Sequence, residues 1–446
     1  MVVCSMPTCE RPVQRAVEYA LSVLLGEDSS ELRGLVSYGE PAASEDSGAR
    51  ITIVPSGFFG PQFGRPESLP MLPLSDIDGV PLLYGRPRVR QEGCGLVVEA
   101  DLVASTFFLV TRYEEHVRRT VRDEYGRFPG RQSLPCRAGF LHRPIVEEYS
   151  RLLRKWLRGM GVRMSDAQKG LSVYLTHDVD CPWLPWNPRY LIRSMIGNLP
   201  QRPDRALHPL LGYLGIGRFD PYDTFDDLIR LDRTLIEALG RKRVKVMYFL
   251  LTADSLMVRD YMKWAPRRTK RLIERLVASG AQIGLHATCE ASQAPELARA
   301  EADRLRRFCN QAVTANRFHF LTWREPHDVK NLEDAGLLDD FTMGYADRTG
   351  FRLGLCHPVP FFDLVDMRET KVMVHPLSIM ECTLDRYMGL DFDEAWSVCQ
   401  TLIDTVAQFS GEIVLLWHNS TLAEVICPYQ RKLYRKLLSH ISTAYA

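Results

Sequence analysis

No apolar run in the 446-residue chain approaches the roughly 20 residues that a membrane-spanning helix needs, so a helical membrane protein is not expected. Charge of one sign is also lacking. A formal net charge of +1 offers no electrostatic footprint for the phosphates of nucleic acid. The cysteines are scattered and form no CxxC pair, which argues against a disulfide framework and suits a reducing compartment. The amino-terminal stretch MVVCSMPTCERPVQRAVEYALSVLLG lacks a basic start, an apolar block and a small-residue cleavage site, so no secretory signal is read and a cytoplasmic location is expected. Neither an internal repeat nor a low-complexity segment is present.

What is there begins with Leu171–Cys181, LSVYLTHDVDC. A short run of β-formers ends abruptly in His177, Asp178 and Asp180. The carboxyl end of a parallel strand is where side chains leave the core and face a ligand crevice. Residues two apart on an extended segment point the same way. Asp178 and Asp180 can therefore divide a task, one binding a metal ion and one handling protons. His177 faces the other side and is read as packing or as a support behind the site residues.

The length implies two domains or a large barrel with an appended domain. Residues 1–165 read as a smaller α+β accessory domain. It holds a helix over Arg15–Leu25, a strand over Ile51–Pro55, a Pro- and Gly-rich loop from Gly57 to Gly85, and helices from Leu102 to Val117 and from Pro144 to Leu157. Glu114, Glu115 and His116 are read as a solvated helix face. From residue 171 to 446, strand-like and helix-like segments alternate: VKVMYFLL, AQIGLH, NRFHFL, VMVHPL and EIVLLWHN, with helices between most of them. Alternation of this kind implies an α/β fold with parallel strands. A long insertion at about 181–223 is rich in Trp, Pro and Arg; Trp183 and Trp186 are candidate sugar-stacking surfaces, and Arg189, Arg193 and Arg205 candidate phosphate contacts.

Ionisable residues recur where these strands end: Asp178 and Asp180, then His286, then Arg317 and His319, and last His418. In this order, Asp178-Val-Asp180, Gly284-Leu-His286, Arg317 and Leu416-Trp-His418 resemble the motifs of the polysaccharide deacetylases, metal-dependent carbohydrate esterases that include chitin and peptidoglycan deacetylases. TRYEEHVRRTVRDEYGRFPGRQS, GYADRTGFRLG and MECTLDRY resemble a bacterial subgroup with an extra amino-terminal domain. The resemblance implies a distorted (β/α) barrel of about seven strands and hydrolysis of an N-acetyl or O-acetyl group on a sugar. It assigns Asp178 as general base, Asp180 and His286 as metal ligands, Arg317 as the residue that steadies the base, and His418 as general acid.

The chemistry agrees with those roles. A zinc ion held by three protein ligands keeps an open position and lowers the pKa of bound water to about 7. Asp178 would take the water's proton, and His418, from the opposite side, would protonate the leaving nitrogen. One position departs from the family. Its second metal histidine lies four residues after the first, where this chain has Glu290. Glu290 and His319 are both candidates for the third ligand, and His319 is preferred. The expected protein is a cytoplasmic, metal-dependent deacetylase, with a divalent ion (zinc first), acting on an acetylated sugar, nucleotide sugar or lipid-linked saccharide in surface polysaccharide synthesis. The alternatives are a metal-dependent amidase on a non-sugar substrate and a non-catalytic carbohydrate-binding member. Cys289, Cys356 and His357 lack the paired spacing of a thiolate zinc site.

Overall fold

The computed structural model describes residues 11–40, 50–164, 170–183, 220–252, 266–292, 294–324, 327–423 and 428–446, with isolated positions 192, 196, 207, 210 and 211. By internal contacts the chain divides into two units, residues 1–169 with 343–376, and residues 170–342 with 377–446. The sequence reading runs 343–376 on with the barrel. The structure returns this stretch to the first unit because its buried charged groups find their partners there. Asp347 accepts hydrogen bonds from the Gly130 and Arg131 backbone amides at 2.6 and 3.2 Å. Arg352 grips Glu115 with two bonds of 2.9 and 2.7 Å. A buried charge is tolerated only where it is paired, so such contacts decide to which unit a segment belongs.

In the first unit, β1 (Val36–Tyr38), β2 (Ile51–Ile53), β6 (Gly95–Ala100) and β5 (Gly85–Glu92) form a sheet in that order, parallel except for the β5–β6 hairpin. β3 (Ser75–Ile77) and β4 (Val80–Leu82) make a separate antiparallel hairpin inside the stretch read from sequence as loop. The helix anticipated over Leu102–Val117 is broken into Leu102–Val110 and Tyr113–Val117, because Arg112 between them takes φ 54°. The break turns Glu114 and Glu115 inward. Both are buried, contrary to the solvated face expected. Glu114 accepts from Arg118, Arg137 and the Leu134 amide.

The second unit is a mixed α/β, barrel-like fold. Its strands are β7 (Ser172–Val179), β8 (Val244–Leu250), β9 (Gln282–Ala287), β10 (Ala315–Phe318) and β11 (Asp339–Asp340) and, after the hairpin β12 (Val359–Asp363)–β13 (Arg368–Val374) of the first unit, β14 (Leu377–Met380) and β15 (Glu412–Leu416). They lie in the order β11-β10-β9-β8-β7-β15-β14, and every pairing is parallel. Among the described residues no pairing joins β14 to β11. VMVHPL, read from sequence as one more strand of the alternation, instead spans the end of β13 and the start of β14. Helices Phe225–Leu239, Pro266–Ala278, Pro295–Arg306, His327–Ala335, Phe392–Gln408 and Pro428–Ala444 supply the alternation. Gly240 and Gly280 follow the first two at φ 84° and 89°, where a side chain would be strained. β7 runs between two neighbours with both faces buried, so its apolar residues read as one continuous run. Parallel order places the carboxyl ends of all seven strands on one edge.

Candidate metal centre

β7 carries Asp178 and, one residue past its end, Asp180. The alternation of the strand sends His177 the other way, where its ring bonds the Trp417 carbonyl at 3.1 Å and Asp232 at 3.0 Å on the helix Phe225–Leu239. Register puts His286 of β9 beside Arg317 of β10. His319 follows β10 in a tight turn in which Phe320 and Leu321 both take positive φ, 60° and 56°. Two such residues in succession are strained and persist only where their surroundings hold them. The His319 ring stacks on Phe320 with centroids 3.9 Å apart and meets the His286 ring edge-on at 5.1 Å. His418 lies just past β15, next to β7 in the sheet.

The six residues singled out from sequence converge. One Asp180 oxygen, Oδ1, is 3.1 Å from His286 Nε2 and 3.8 Å from His319 Nε2. The other, Oδ2, is 3.7 Å from His418 Nε2. Asp178 accepts a 2.8 Å bond from Arg317 Nη1 through Oδ1, while its Oδ2 lies 3.7 Å from His286 Nε2. Arg317 is fully buried. It is fixed by an Nε bond of 3.0 Å to the Phe341 carbonyl and by the Phe249 ring 4.5 Å beneath its guanidinium. Glu290 is not part of this cluster; the ligand-type atoms within 4.8 Å of one another are those of Asp180, His286 and His319.

The donor set fits a divalent cation. His286 Nδ1 donates to the Arg317 carbonyl at 2.8 Å, which leaves Nε2 to present a lone pair, as a carbonyl-oriented metal histidine does. Asp180 Oδ1 and His286 Nε2 are both buried without a hydrogen-bond partner. Orphaned polar atoms of this kind are costly unless something binds them. Two ligands of a tetrahedral zinc site lie about 3.3 Å apart, close to the observed separations. Burial lowers the His319 pKa to about 4, the neutral form that ligates. Burial would raise that of Asp180, but His319, His286 and His418 hold it below the ordinary carboxylate range. Burial disfavours charge on His286 as well, yet Asp178 and Asp180 raise its pKa, which marks a place that attracts a cation.

Sequence reasoning missed Glu381. It follows β14 directly, is fully buried, and accepts from the His418 backbone amide at 2.9 Å, from His418 Nδ1 at 2.6 Å and from the Thr421 hydroxyl at 2.9 Å. Burial disfavours the His418 cation, but the Glu381 carboxylate outweighs it and raises the pKa well above the ordinary histidine value. The only signal was the glutamate of MECTLDRY, one of two acidic residues there, and nothing in its spacing ties it to a histidine 37 positions away.

Other residues singled out fall elsewhere. Trp186, Arg189, Arg193 and Arg205 lie outside the described residues. Trp183 carries the Arg268 guanidinium 4.1 Å over its ring. In the GYADRTGFRLG stretch, Asp347 and Arg352 are engaged in the internal contacts of the first unit given above.

Residues 17–161 match the model of a family of unknown function, DUF7033. No curated protein matches the sequence. Among solved structures, the chain is similar to a protein assigned as a polysaccharide deacetylase from Mycobacterium smegmatis, at 14% identity and a TM-score of 0.38, over 63% of this chain and 86% of that one. It is also similar to Puue allantoinase, at 12% identity and a TM-score of 0.37, over 61% of this chain and 84% of that one. Among the described residues no helix is long and apolar enough to cross a membrane.

Proposed function

We propose that the chain is a metal-dependent hydrolase that removes an acetyl group, N-acetyl in the first place, from a sugar, with Asp180, His286 and His319 as the ligands of a zinc-like ion. The observation that carries this reading is a division of labour around Asp180. A carboxylate clamped by a buried arginine, Asp178–Arg317, lies on one side, and a histidine held by a buried carboxylate, His418–Glu381, on the other. A binding module has no use for both together.

The bound ion would activate water and polarise the acyl oxygen. The remaining tasks fall to side chains. Arg317 occupies one oxygen of Asp178 and so aims the other toward the ligand cluster, where it receives a proton from the attacking water. His418, kept protonated by Glu381, presents Nε2–H from the far side of Asp180 and delivers that proton to the departing nitrogen. Glu381 has no direct part in the proton transfers; through Nδ1 it fixes the ring's orientation and its charge. The substrate fits a cytoplasmic, acetylated sugar, free or carried on a nucleotide or lipid, in surface polysaccharide synthesis.

Acetate release from a panel of N-acetyl sugars and nucleotide sugars tests the reading. Asp178→Asn is expected to lower release by about 10²-fold or more while the protein keeps its metal. Turnover unchanged in that variant would remove Asp178 from the mechanism, and release from non-sugar amides alone would move the substrate class.

A further inference from the structure

A second set of ligand-type side chains converges in the first unit. Glu147 stands in the first turn of the helix Ile145–Gly159, and Cys356 and His357 form a bend just before β12. A single carboxylate oxygen, Glu147 Oε1, lies 2.7 Å from His357 Nδ1, 3.2 Å from the Cys356 amide nitrogen and 3.9 Å from Cys356 Sγ. Ligand atoms from all three side chains fall within 4.8 Å of one another. Cys356 is fully buried, Glu147 mostly so, and His357 is 44% exposed. The thiol therefore closes the inner side and the imidazole the outer.

This is the chemistry of a borderline-soft cation rather than of a carboxylate-only surface cluster. Zinc takes thiolate, imidazole and carboxylate at about 2.3, 2.0 and 2.1 Å, which separates ligand atoms by roughly 3.3–3.6 Å. The oxygen–sulfur distance is close to that already, and the oxygen–nitrogen pair has only to open around the proton it now shares. Glu147 and the Cys356–His357 bend are 209 and 210 residues apart, so an ion here would cross-link two distant segments of one unit.

We propose that Glu147, Cys356 and His357 form a second metal site, for a zinc-like divalent ion, with its fourth position open to solvent. The site is separate from the ligand set Asp180, His286 and His319, which contains no sulfur, the thiol nearest that set's neighbours being Cys382 beside Glu381 and His418, and its test does not depend on hydrolase activity. The full chain, stripped and reloaded with cobalt(II), is expected to show thiolate-to-cobalt charge-transfer absorption in the near ultraviolet. Cys356→Ser should lose that absorption together with one bound ion. Asp180→Ala should keep the absorption while losing the other ion, and His357→Ala should weaken the cobalt affinity read from the band by at least about tenfold. Absence of the band in the unaltered chain, or a band that survives Cys356→Ser, would overturn the proposal and leave a Glu147–His357 pair beside a buried thiol.

Discussion

Asp178 and Asp180 sit two residues apart, one at the end of β7 and the other just past it, and differ in what faces them. Asp178 meets a guanidinium that is itself buried and anchored, whereas Asp180 meets three imidazoles. His418 is set apart from the other two histidines in the same way, by the carboxylate behind it. Its raised pKa gives a definite sign to its pH dependence. The stabilising effect of charging His418 is full below the unfolded histidine value, near 6.5, and is lost as pH rises through its folded pKa. For Glu381 burial alone would raise the pKa, but His418 lowers it, so its contribution is present above the unfolded value and lost on acidification. In Glu381→Gln the alkaline limb of kcat/KM is expected to move to lower pH, with a loss of about 3–5 kcal/mol in stability as a buried pair is broken. An alkaline limb that stays in place would separate Glu381 from the acid function.

At the scale of elements, the site depends on how closely β8, β9 and β10 approach. Gly284 on β9 has no room for a methyl group. A Cβ there would meet the Phe249 ring at 2.6 Å and the Ala315 carbonyl at 3.3 Å. Phe249 in turn underlies Arg317, so the absence of a side chain at 284 is transmitted through the ring to the guanidinium that holds Asp178. Gly284→Ala is expected to cost about 1–3 kcal/mol by overpacking and to lower turnover more than metal affinity. Urea titration beside a metal-binding isotherm checks both; full activity at reduced stability would mean that the Arg317–Asp178 contact does not depend on this packing. The Gly284-Leu-His286 motif was legible in sequence, but the reason for its glycine was not, because Phe249 is on another strand.

Over the whole molecule, an ion held as proposed by Asp180, His286 and His319 would be part of the stability of the second unit, since it would satisfy the orphaned atoms of Asp180 and His286. Binding at one hundred times Kd adds about 2.7 kcal/mol, so chelation is expected to lower the calorimetric Tm by several degrees. In a Cys356→Ser background, which lacks the second site proposed above, His319→Ala should abolish that chelator effect and Glu290→Ala should preserve it. Survival of the chelator effect in His319→Ala would exclude His319 as the third ligand.

Local chemistry determined what periodicity and spacing can express: alternating strands and helices, apolar runs that stop at ionisable residues, and the motif order that resembles a deacetylase. A carboxylate pair with a two-residue spacing is legible because neighbours on a strand share a face. Tertiary structure alone decided the rest. It chose the company of His319 over that of Glu290, since only the strained turn after β10 shows where that ring is aimed. It supplied Glu381, turned Glu114 and Glu115 inward, and drew residues 343–376 into the first unit. In each case the deciding contact joins residues tens to hundreds of positions apart, and pairing a buried charge is a condition that no local pattern records.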